Sequence, residues 1–381
     1  MSWSKTDPMQ QREQLIVNYA TGLYSVSELA ERYGVSRKTV YKWIARYQSD
    51  GLAGLHDHNR APLSCPHRTD PTIEDRLLAF RAKHPHWGPR TIHAYLRQHE
   101  PELKIPAPST IGDLFDRHGL SSKRTTRRRY AQPDRRAPIV TAANTLWCCD
   151  FKGEFRLGNQ QYCYPLTITD NFSRMILGCR GQAETTYQTT RRNFERVFSE
   201  YGLPENIRSD NGAPFAGQGP RRISRLSLWW LKLGIRHVLS RPGCPQDNPQ
   251  HERMHRRLKD ETTRPPGGND RAQQRLFNRF VTEYNTERPH QGIAMQTPSM
   301  LYQPSMRQLP KNLREPDYPG HYERRQVSNG GMMYFKAQRI FVSEVLIGET
   351  VGLEETGDGL WSIYTYELLL GRFSQQDWRL R

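Results

Sequence analysis

Three acidic residues stand in sequence surroundings that would bring them together in the folded chain. Asp150 ends one strand-like stretch, Asp210 ends another, and Glu252 lies near the start of a helix-like stretch at 246–261. Carboxylates gathered at one point repel each other unless a cation lies between them. Because oxygen ligands without thiolate or imidazole favour Mg²⁺ or Mn²⁺, the sequence predicts a divalent-metal site.

Two such ions, held roughly 4 Å apart, can activate an attacking oxygen and stabilise a leaving oxygen during phosphoryl transfer, without a protein nucleophile. The third acid has alternatives, because Asp247, Asp260 or Glu261 could replace Glu252 as a ligand. Asp170 begins the turn between two predicted strands, and we expect it to hydrogen-bond that turn instead of binding metal. Reaction at phosphorus is therefore the chemistry that this set of acids favours.

The helix that carries Glu252 also predicts a cationic face. His255, Arg256 and Lys259 follow Glu252 by three, four and seven positions, which places all four residues on roughly one side of a helix. Arg256 and Lys259 are candidates for binding a phosphate backbone beside the metal. The alternative for these two residues is an ordinary solvated helix face.

Charge and composition favour a nucleic-acid partner. The chain has 381 residues and a formal net charge of +17, and such an excess of basic residues is typical of proteins that bind polyanions. The sequence has no apolar run long enough for a membrane span and no signal-like amino terminus. Its six cysteines form no C-x-x-C pair, which argues against a structural zinc site and predicts a reducing, cytoplasmic location.

Residues 1–50 read as a helix-turn-helix DNA-binding domain. Ser25 and Glu28 form a capping box, Gly34 ends a short helix, and Ser36 caps the helix that would enter a major groove. The alternative is a small three-helix bundle with a solvated basic face. The side chains expected to contact DNA are Arg37, Lys38, Tyr41 and Lys42.

Residues 51–69 have the composition of a linker, and 70–120 form a second helical unit, either another helix-turn-helix domain or a spacer bundle. Its histidines at 84, 86, 93 and 99 lack cysteines at ligand spacing, so we expect no metal there. Residues 121–140 are a basic linker that would lie on DNA phosphates. Its candidate DNA-binding residues are Lys123, Arg124, Arg127, Arg128 and Arg129.

From residue 141 the pattern changes to an α/β order. Three strands in a meander precede alternating helices and strands, which is the order of a ribonuclease-H-like core over 141–302. A proline-rich linker at 303–323 leads to about five short strands at 324–381, typical of a small SH3-like β-barrel. We therefore predict a multidomain α/β protein with two amino-terminal helix-turn-helix units, this core and the barrel.

Five motifs give the chain a resemblance to a known family. Spread over about 150 residues, they are Trp147-x-x-Asp150, Asp170-x-x-Ser173-Arg174, Ser209-Asp210-Asn211-Gly212, Pro245-Gln246 with Glu252-Arg253, and Tyr284-Asn285-x-x-Arg288-Pro289-His290. Together they resemble bacterial insertion-sequence transposases of the retroviral-integrase-like DDE superfamily. One departure is the loop before the glutamate, where this chain has Asn248-Pro249-Gln250, so the helix start is expected to differ.

The resemblance implies a DNA transposase that binds terminal inverted repeats, cleaves at the element ends and joins the 3′-OH ends to target DNA. It implies that Asp150, Asp210 and Glu252 hold two Mg²⁺ ions, with Mn²⁺ able to substitute. It also implies double-stranded DNA as partner, a homodimer or tetramer, and a bacterial, nucleoid-associated protein. Two alternatives stay open, which are a catalytically inactive DNA-binding regulator and a nuclease that cuts without joining.

Overall fold

The structure is a computed structural model that describes residues 7–58, 69–121, 138–241 and 247–381. It divides the chain into two compact units, residues 1–68 and residues 69–381. The finer division into seven domains and linkers stays a prediction. The basic linker falls almost wholly outside the described residues, and so do all five of its candidate DNA-binding residues.

The first unit is built from three helices, α1 (Pro8–Ala20), α2 (Val26–Arg32) and α3 (Arg37–Asp50), with a short 3₁₀ turn at Gly51–Leu55. Ser25 and Glu28 form the predicted capping box, and the Ser36 hydroxyl accepts the Thr39 N–H at the start of α3. Trp43 and Leu55 are buried in the core, whereas Tyr47 is more than one-third exposed. The 3₁₀ turn thus extends the unit into the predicted linker.

The second unit begins with three more helices, α4 (Pro71–Lys83), α5 (Pro89–His99) and α6 (Pro108–Arg117). Each starts with proline, whose missing N–H costs nothing in the first turn of a helix. Trp87, in the turn between α4 and α5, is buried together with Leu77, Phe80 and Ile92. The turn therefore belongs to the core of this helical group.

A six-stranded mixed sheet follows. Its strands are β1 (Leu146–Phe151), β2 (Phe155–Arg156), β3 (Tyr162–Asp170), β4 (Ile176–Gln182), β5 (Asn206–Ser209) and β6 (Arg236–Leu239). β3 pairs antiparallel with β1, β2 and β4, while β1 continues through parallel pairing to β5 and then to β6. The two-residue strand β2 was not predicted, because two residues are too few to show the alternation of polar and apolar side chains that indicates a strand.

Helices cover both faces of this sheet. They are α7 (Tyr187–Tyr201), α8 (Arg225–Lys232), α9 (Pro249–Thr262) and α10 (Asp270–Thr282), followed by a π-helical turn (Glu283–Glu287) and α11 (Pro298–Leu301). Phe194 and Trp230, from α7 and α8, pack with Ile168 on one face, and Met254 and Phe277 pack with Cys179 on the other. The predicted ribonuclease-H-like order of elements is confirmed.

The carboxyl-terminal region contains β7 (Glu323–Gln326), β8 (Met332–Phe335), β9 (Gln338–Phe341), β10 (Thr350–Gly357), β11 (Leu360–Thr365) and β12 (Leu368–Ser374). β12, β11, β10 and β7 form one sheet, while β8 and β9 form a separate hairpin that shares its core. Among the described residues no strand ladder joins the sheet to the hairpin, so the closed SH3-like barrel stays a prediction.

Candidate active site

Strand register places two of the predicted acids at one edge of the sheet. β1 runs parallel to β5 with Cys148 opposite Arg208, and both strands continue in the same direction. The same register, two residues further on, brings Asp150 beside Asp210, which follows directly after β5. The sequence thus sets this convergence through two strands that end at matching positions.

Glu252 completes the group from the first turn of α9. Burial, then the negative charges of Asp210 and Glu252, raise the pKa of Asp150 to about 7. A carboxyl group loses its proton less readily beside other carboxylates, so Asp210 and Glu252 lie within electrostatic reach of Asp150. The charge that they share is what a cation would neutralise.

The donor set fits a hard divalent cation, because it consists of carboxylate oxygens that repel one another when ionised. Gly212 leaves room for it, since a Cβ at this position would lie 3.0 Å from Asp210 Oδ2. Within the described residues, however, no group of three or more His, Cys, Asp or Glu side chains is close enough to hold a metal ion. Asp210 and Glu252 thus act electrostatically on Asp150, but the three carboxylates are not close enough together in this structure to bind one ion.

Two buried histidines fasten α9 to the sheet. His251 Nε2 and His255 Nε2 lie 2.8 and 2.6 Å from the hydroxyl oxygen of Thr167, and His251 Nδ1 lies 2.8 Å from that of Thr169. Because Thr167 is directly opposite Asp150 in the β1–β3 ladder, these contacts fix the helix beside the site. Desolvation lowers the pKa of His251 to about 3 and that of His255 well below its usual range.

The prediction that His255 belongs to a cationic face is therefore wrong. Its ring is buried under α9, and a buried histidine with hydroxyl partners stays neutral. Arg256 and Lys259, in contrast, are exposed, as is Glu252. The helix thus presents an acidic and basic outer side and a histidine-bearing inner side. Its start at Pro249 follows Asn248, whose side chain makes no capping hydrogen bond.

The three alternatives to Glu252 have other surroundings. Asp247 accepts hydrogen bonds from Arg241 N at 2.9 Å and Arg241 Nε at 3.1 Å, and these hydrogen bonds lower its pKa. Asp260 pairs with Arg264, since its Oδ1 lies 3.7 Å from Arg264 Nη1. The pKa of Glu261 rises to about 7 through burial and through the charge of Glu283, a residue of the π-helical turn. Glu252 is the acid of α9 whose charge acts on Asp150.

Asp170 holds a turn, as the sequence predicts. Its carboxylate accepts hydrogen bonds from Ser173 N at 2.7 Å, Ser173 Oγ at 2.6 Å and Asn144 N at 2.8 Å. The side chain is 1% exposed. A carboxylate that is buried and supplied with three donors has a structural function in this turn.

The two cysteines that directly precede Asp150 are packing residues. Cys148 and Cys149 are both buried, and desolvation raises the pKa of Cys148 to about 11 and that of Cys149 well above its usual value. Since the thiolate is the reactive form, neither side chain is a nucleophile at neutral pH. Asn285 likewise anchors structure, because its amide makes two 2.9 Å hydrogen bonds with the backbone of Ile176.

In the amino-terminal unit, all four predicted DNA-contacting side chains are exposed on α3, namely Arg37, Lys38, Tyr41 and Lys42. Opposite them, Val40 and Ile44 face the core. The helix therefore has the basic outer surface that its sequence predicts.

Three features escaped the sequence interpretation. The histidine anchors could have been found from the spacing of 251, 255, 258 and 262, which is that of a buried helix stripe. Glu283 accepts hydrogen bonds from Trp87 Nε1 at 2.8 Å and lies 3.1 Å from His84 Nδ1, so it fastens the second helical group to the core. Arg222 donates to Asn211 O and Asn211 Oδ1, beside Asp210. Contacts between such distant positions have no local sequence signal.

Family models match the chain in four places. Residues 140–245 and 233–298 each match an integrase core domain. Residues 11–62 match a helix-turn-helix domain, and residues 39–115 match a homeodomain-like domain. The second of these matches reaches across most of α4 to α6, so both helical groups belong to this class.

In the described residues no helix is long and apolar enough to span a membrane.

Curated relatives include an uncharacterised 39.2 kDa protein of insertion element IS476 from Xanthomonas euvesicatoria. It is 23% identical over 297 residues, which cover 77% of this chain and 82% of that protein. The Gag-Pol polyprotein of feline leukemia virus is 29% identical over 192 residues, covering 49% of this chain. This chain spans only 11% of that polyprotein.

Solved structures with similarity include the catalytic core of HTLV-2 integrase in complex with magnesium, at 16% identity and a TM-score of 0.33, covering 42% of this chain and 98% of that chain. Another is a simian T-cell lymphotropic virus intasome, at 14% identity and a TM-score of 0.40, covering 79% and 96%. The domain and sequence matches confirm the resemblance: the chain carries an integrase core behind helix-turn-helix domains, as in insertion-sequence transposases of the retroviral-integrase-like superfamily.

Proposed function

We propose that this protein is a DNA transposase that binds terminal inverted repeats, cleaves at the element ends and joins the freed 3′-OH ends to target DNA. The observation that carries the proposal is the strand register that brings Asp150 beside Asp210 at the edge of an integrase core. The charge of Glu252 also acts on Asp150, whose pKa is raised by burial first and then by Asp210 and Glu252. A cation bound at this edge would offset the repulsion that Asp210 and Glu252 exert on Asp150.

In this proposal Asp150, Asp210 and Glu252 hold two Mg²⁺ ions, for which Mn²⁺ can substitute. When bound, the ions supply Lewis-acid activation of the attacking oxygen and charge neutralisation at the leaving oxygen. The chain's own contribution is to fix the acids. β1 and β5 would hold the two aspartates in register, and the contacts of His251 and His255 with β3 would hold the helix that carries Glu252 beside the sheet.

DNA would be bound at several places. Exposed Arg37, Lys38, Tyr41 and Lys42 on α3 would read the terminal repeat, and Arg256 and Lys259 would hold its end beside the acids. The predicted linker residues 123–129 would add affinity that depends steeply on salt. Replacing the four α3 residues by alanine should abolish preference for repeat-containing duplex. Unchanged preference would exclude α3 as the reading helix.

Because two ends of an element must be joined together, we propose a homodimer or tetramer that works on double-stranded DNA. Such an enzyme would act in the bacterial cytoplasm, at the nucleoid.

The test is strand transfer in vitro. Full-length protein is incubated with labelled terminal-repeat duplex, a plasmid target and Mg²⁺ or Mn²⁺, and compared with Glu252→Gln. Asp260→Asn is the matched control, because it neutralises an acid on the same helix that pairs with surface Arg264. We expect joined product from wild type and Asp260→Asn, none from Glu252→Gln, and none after chelation.

The outcomes separate the alternatives. Cleaved ends without joined product would indicate a nuclease, and specific binding without cleavage would indicate a regulator. Joined product from Glu252→Gln at the wild-type rate would remove Glu252 from the site.

A further inference from the structure

Two consecutive arginines in the loop between β5 and α8 have left-handed backbone conformations. The φ angle is 53° at Arg221 and 56° at Arg222, a region that residues other than glycine seldom occupy. Such conformations cost stability and persist only where the surrounding structure imposes them. The loop therefore holds both arginines in set positions, and their side chains reach different neighbours.

Contacts on two sides fix the backbone of this loop. Arg222 N donates to Gly219 O, and Arg222 O accepts from Gly217 N, both over 2.8 Å. A Cβ at Gly217 would lie 2.2 Å from Ile223 O, so the chain packs closely against this glycine. Ile223, the next residue after Arg222, is buried in the core of the carboxyl-terminal region. The backbone that carries Arg222 is thus supported from within the loop and from that core.

The Arg222 side chain reaches the residue that follows Asp210. Its Nη1 donates to Asn211 Oδ1 over 3.2 Å, and its Nη2 donates to Asn211 O over 3.1 Å. Asn211 is itself held, because its Nδ2 donates to Ser240 O over 2.7 Å. Both oxygens that accept from the guanidinium belong to uncharged amides, so these hydrogen bonds orient the Arg222 side chain without neutralising its charge.

The oriented guanidinium has donors to spare. It carries five N–H groups, and the two bonds to Asn211 leave the other three without an acceptor among the described residues. The side chain is exposed, as is Asp210. A planar cation with free donors matches a phosphate oxygen, and its prior orientation lowers the entropy cost of binding. The acid edge therefore has a cation ready for a phosphate backbone.

We propose that Arg222 binds a phosphate of the DNA strand that enters the acid site, and that Asn211 holds the guanidinium in position for this contact. The element end and the target DNA carry the same phosphate chemistry, so either can supply the phosphate. The inference rests on the proposed function, because it takes the edge that carries Asp210 as the place where DNA reacts.

The experiment measures DNA binding by full-length protein over a range of salt concentrations, without metal. Arg222→Gln keeps a side chain able to bond with Asn211 but removes its charge. We expect the Kd to rise about tenfold, as for loss of a hydrogen bond to a charged group. The slope of log K against log salt should fall by about 0.9, the value for one phosphate contact.

Arg221→Gln is the matched control. Arg221 has the same kind of backbone conformation and is also exposed, but its Nε donates to Leu369 O in β12 over 3.0 Å. We expect this variant to keep the wild-type Kd and slope. An equal loss in Arg221→Gln would overturn the proposal, because the effect would then belong to the loop and not to the guanidinium beside Asp210.

Two more variants separate charge from structure. Arg222→Asn removes the charge with a residue type that tolerates left-handed backbone, and it should show the same loss of slope as Arg222→Gln. Arg222→Lys keeps the cation but lacks the planar fork, so it should keep the wild-type slope. Uncharged variants that join DNA more slowly with unchanged Kd and slope would make Arg222 only a support for the Asp210 turn, and would overturn the proposal.

Two duplexes identify the source of the phosphate. A change confined to terminal-repeat duplex would assign the contact to the element end, and a change confined to duplex without the repeat would assign it to target DNA. Wild-type slopes with both duplexes in Arg222→Gln would overturn the proposal.

This contact and the proposed function can fail separately. A reduced slope in a protein that never joins DNA would keep Arg222 as a phosphate-binding residue and remove the transposase. Metal-dependent joining, together with a wild-type slope in Arg222→Gln, would do the reverse.

Discussion

Asp150 and Asp170 lie at opposite ends of one strand ladder, and their environments could hardly differ more. In the β1–β3 pairing, Asp170 is opposite Trp147 and Asp150 is opposite Thr167. Asp170 is buried and receives three donors from its own turn. Asp150 is partly exposed, faces His255 at 3.7 Å and is repelled by two other acids.

We propose that this difference separates an acid that stabilises the fold, Asp170, from an acid that takes part in the chemistry, Asp150. Three donors in its own turn satisfy the Asp170 carboxylate, although burial still raises its pKa. The charge on Asp150 is opposed by its surroundings, so the protein holds it at a cost in stability that a bound cation would relieve. Asp150→Asn should therefore mainly reduce activity, whereas Asp170→Asn should mainly reduce stability.

The largest effect should come from Asp150→Asn in strand transfer. We expect the joining rate to fall about 10³-fold or more, since a preorganised electrostatic group is removed from the site. Measured alongside it, Asp170→Asn should retain joining when rates are compared per folded molecule. Equal losses in the two variants would end the distinction between them.

Asp170→Asn should instead lower the free energy of unfolding. An amide supplies an N–H₂ group where Ser173 N and Asn144 N already donate, and hydrogen bonds to a charged acceptor are each worth about 1.5–3 kcal/mol. Urea unfolding of the metal-free proteins measures the change. A variant as stable as wild type would show that the turn does not depend on the carboxylate.

A smaller effect concerns pH. The pKa of Asp150 is about 7 in the folded state, against about 3.9 in an unfolded chain. The folded state therefore holds the proton more tightly, and this contribution to stability is present at low pH and lost as pH rises to about 7. In the presence of a chelator, the free energy of unfolding of wild type should fall by about 2–3 kcal/mol relative to that of Asp150→Asn between pH 5 and pH 8.

Comparing wild type with Asp150→Asn isolates the contribution of Asp150 to the pH dependence of stability. Both proteins keep the buried histidines and Glu261, whose pKa is also raised to about 7. Parallel pH–stability curves would contradict the prediction.

The smallest effect should come from the outer side of α9. Replacing Arg256 and Lys259 by alanine should reduce the slope of log K for DNA against log salt by about 0.9 for each phosphate that the protein no longer neutralises. Arg275→Ala is the control, since this arginine is exposed on a different helix, α10. An unchanged slope would assign both residues to an ordinary solvated surface.

Sequence reasoning succeeded where the signal is local. A few neighbouring residues encode each of three features: helix capping by Ser25 and Ser36, the proline at the start of α4, and the strand before Asp150. The three acids emerged because their motifs occur in a fixed order. What failed depends on tertiary contacts, since neither the burial of His255 nor its bond to Thr167 can be deduced from a helix that looks cationic. The docking of Trp87 on Glu283 joins positions almost two hundred residues apart.

The central claim is that Asp150, Asp210 and Glu252 form one cation site, and Mn²⁺ binding to the full-length protein without DNA tests it most directly. Titrations would compare wild type with Asp150→Asn, Asp210→Asn, Glu252→Gln and Asp170→Asn. The account predicts binding to wild type and Asp170→Asn, and a Kd at least about tenfold higher for each of the other three. Wild-type affinity in all of the variants would show that these acids do not hold the metal.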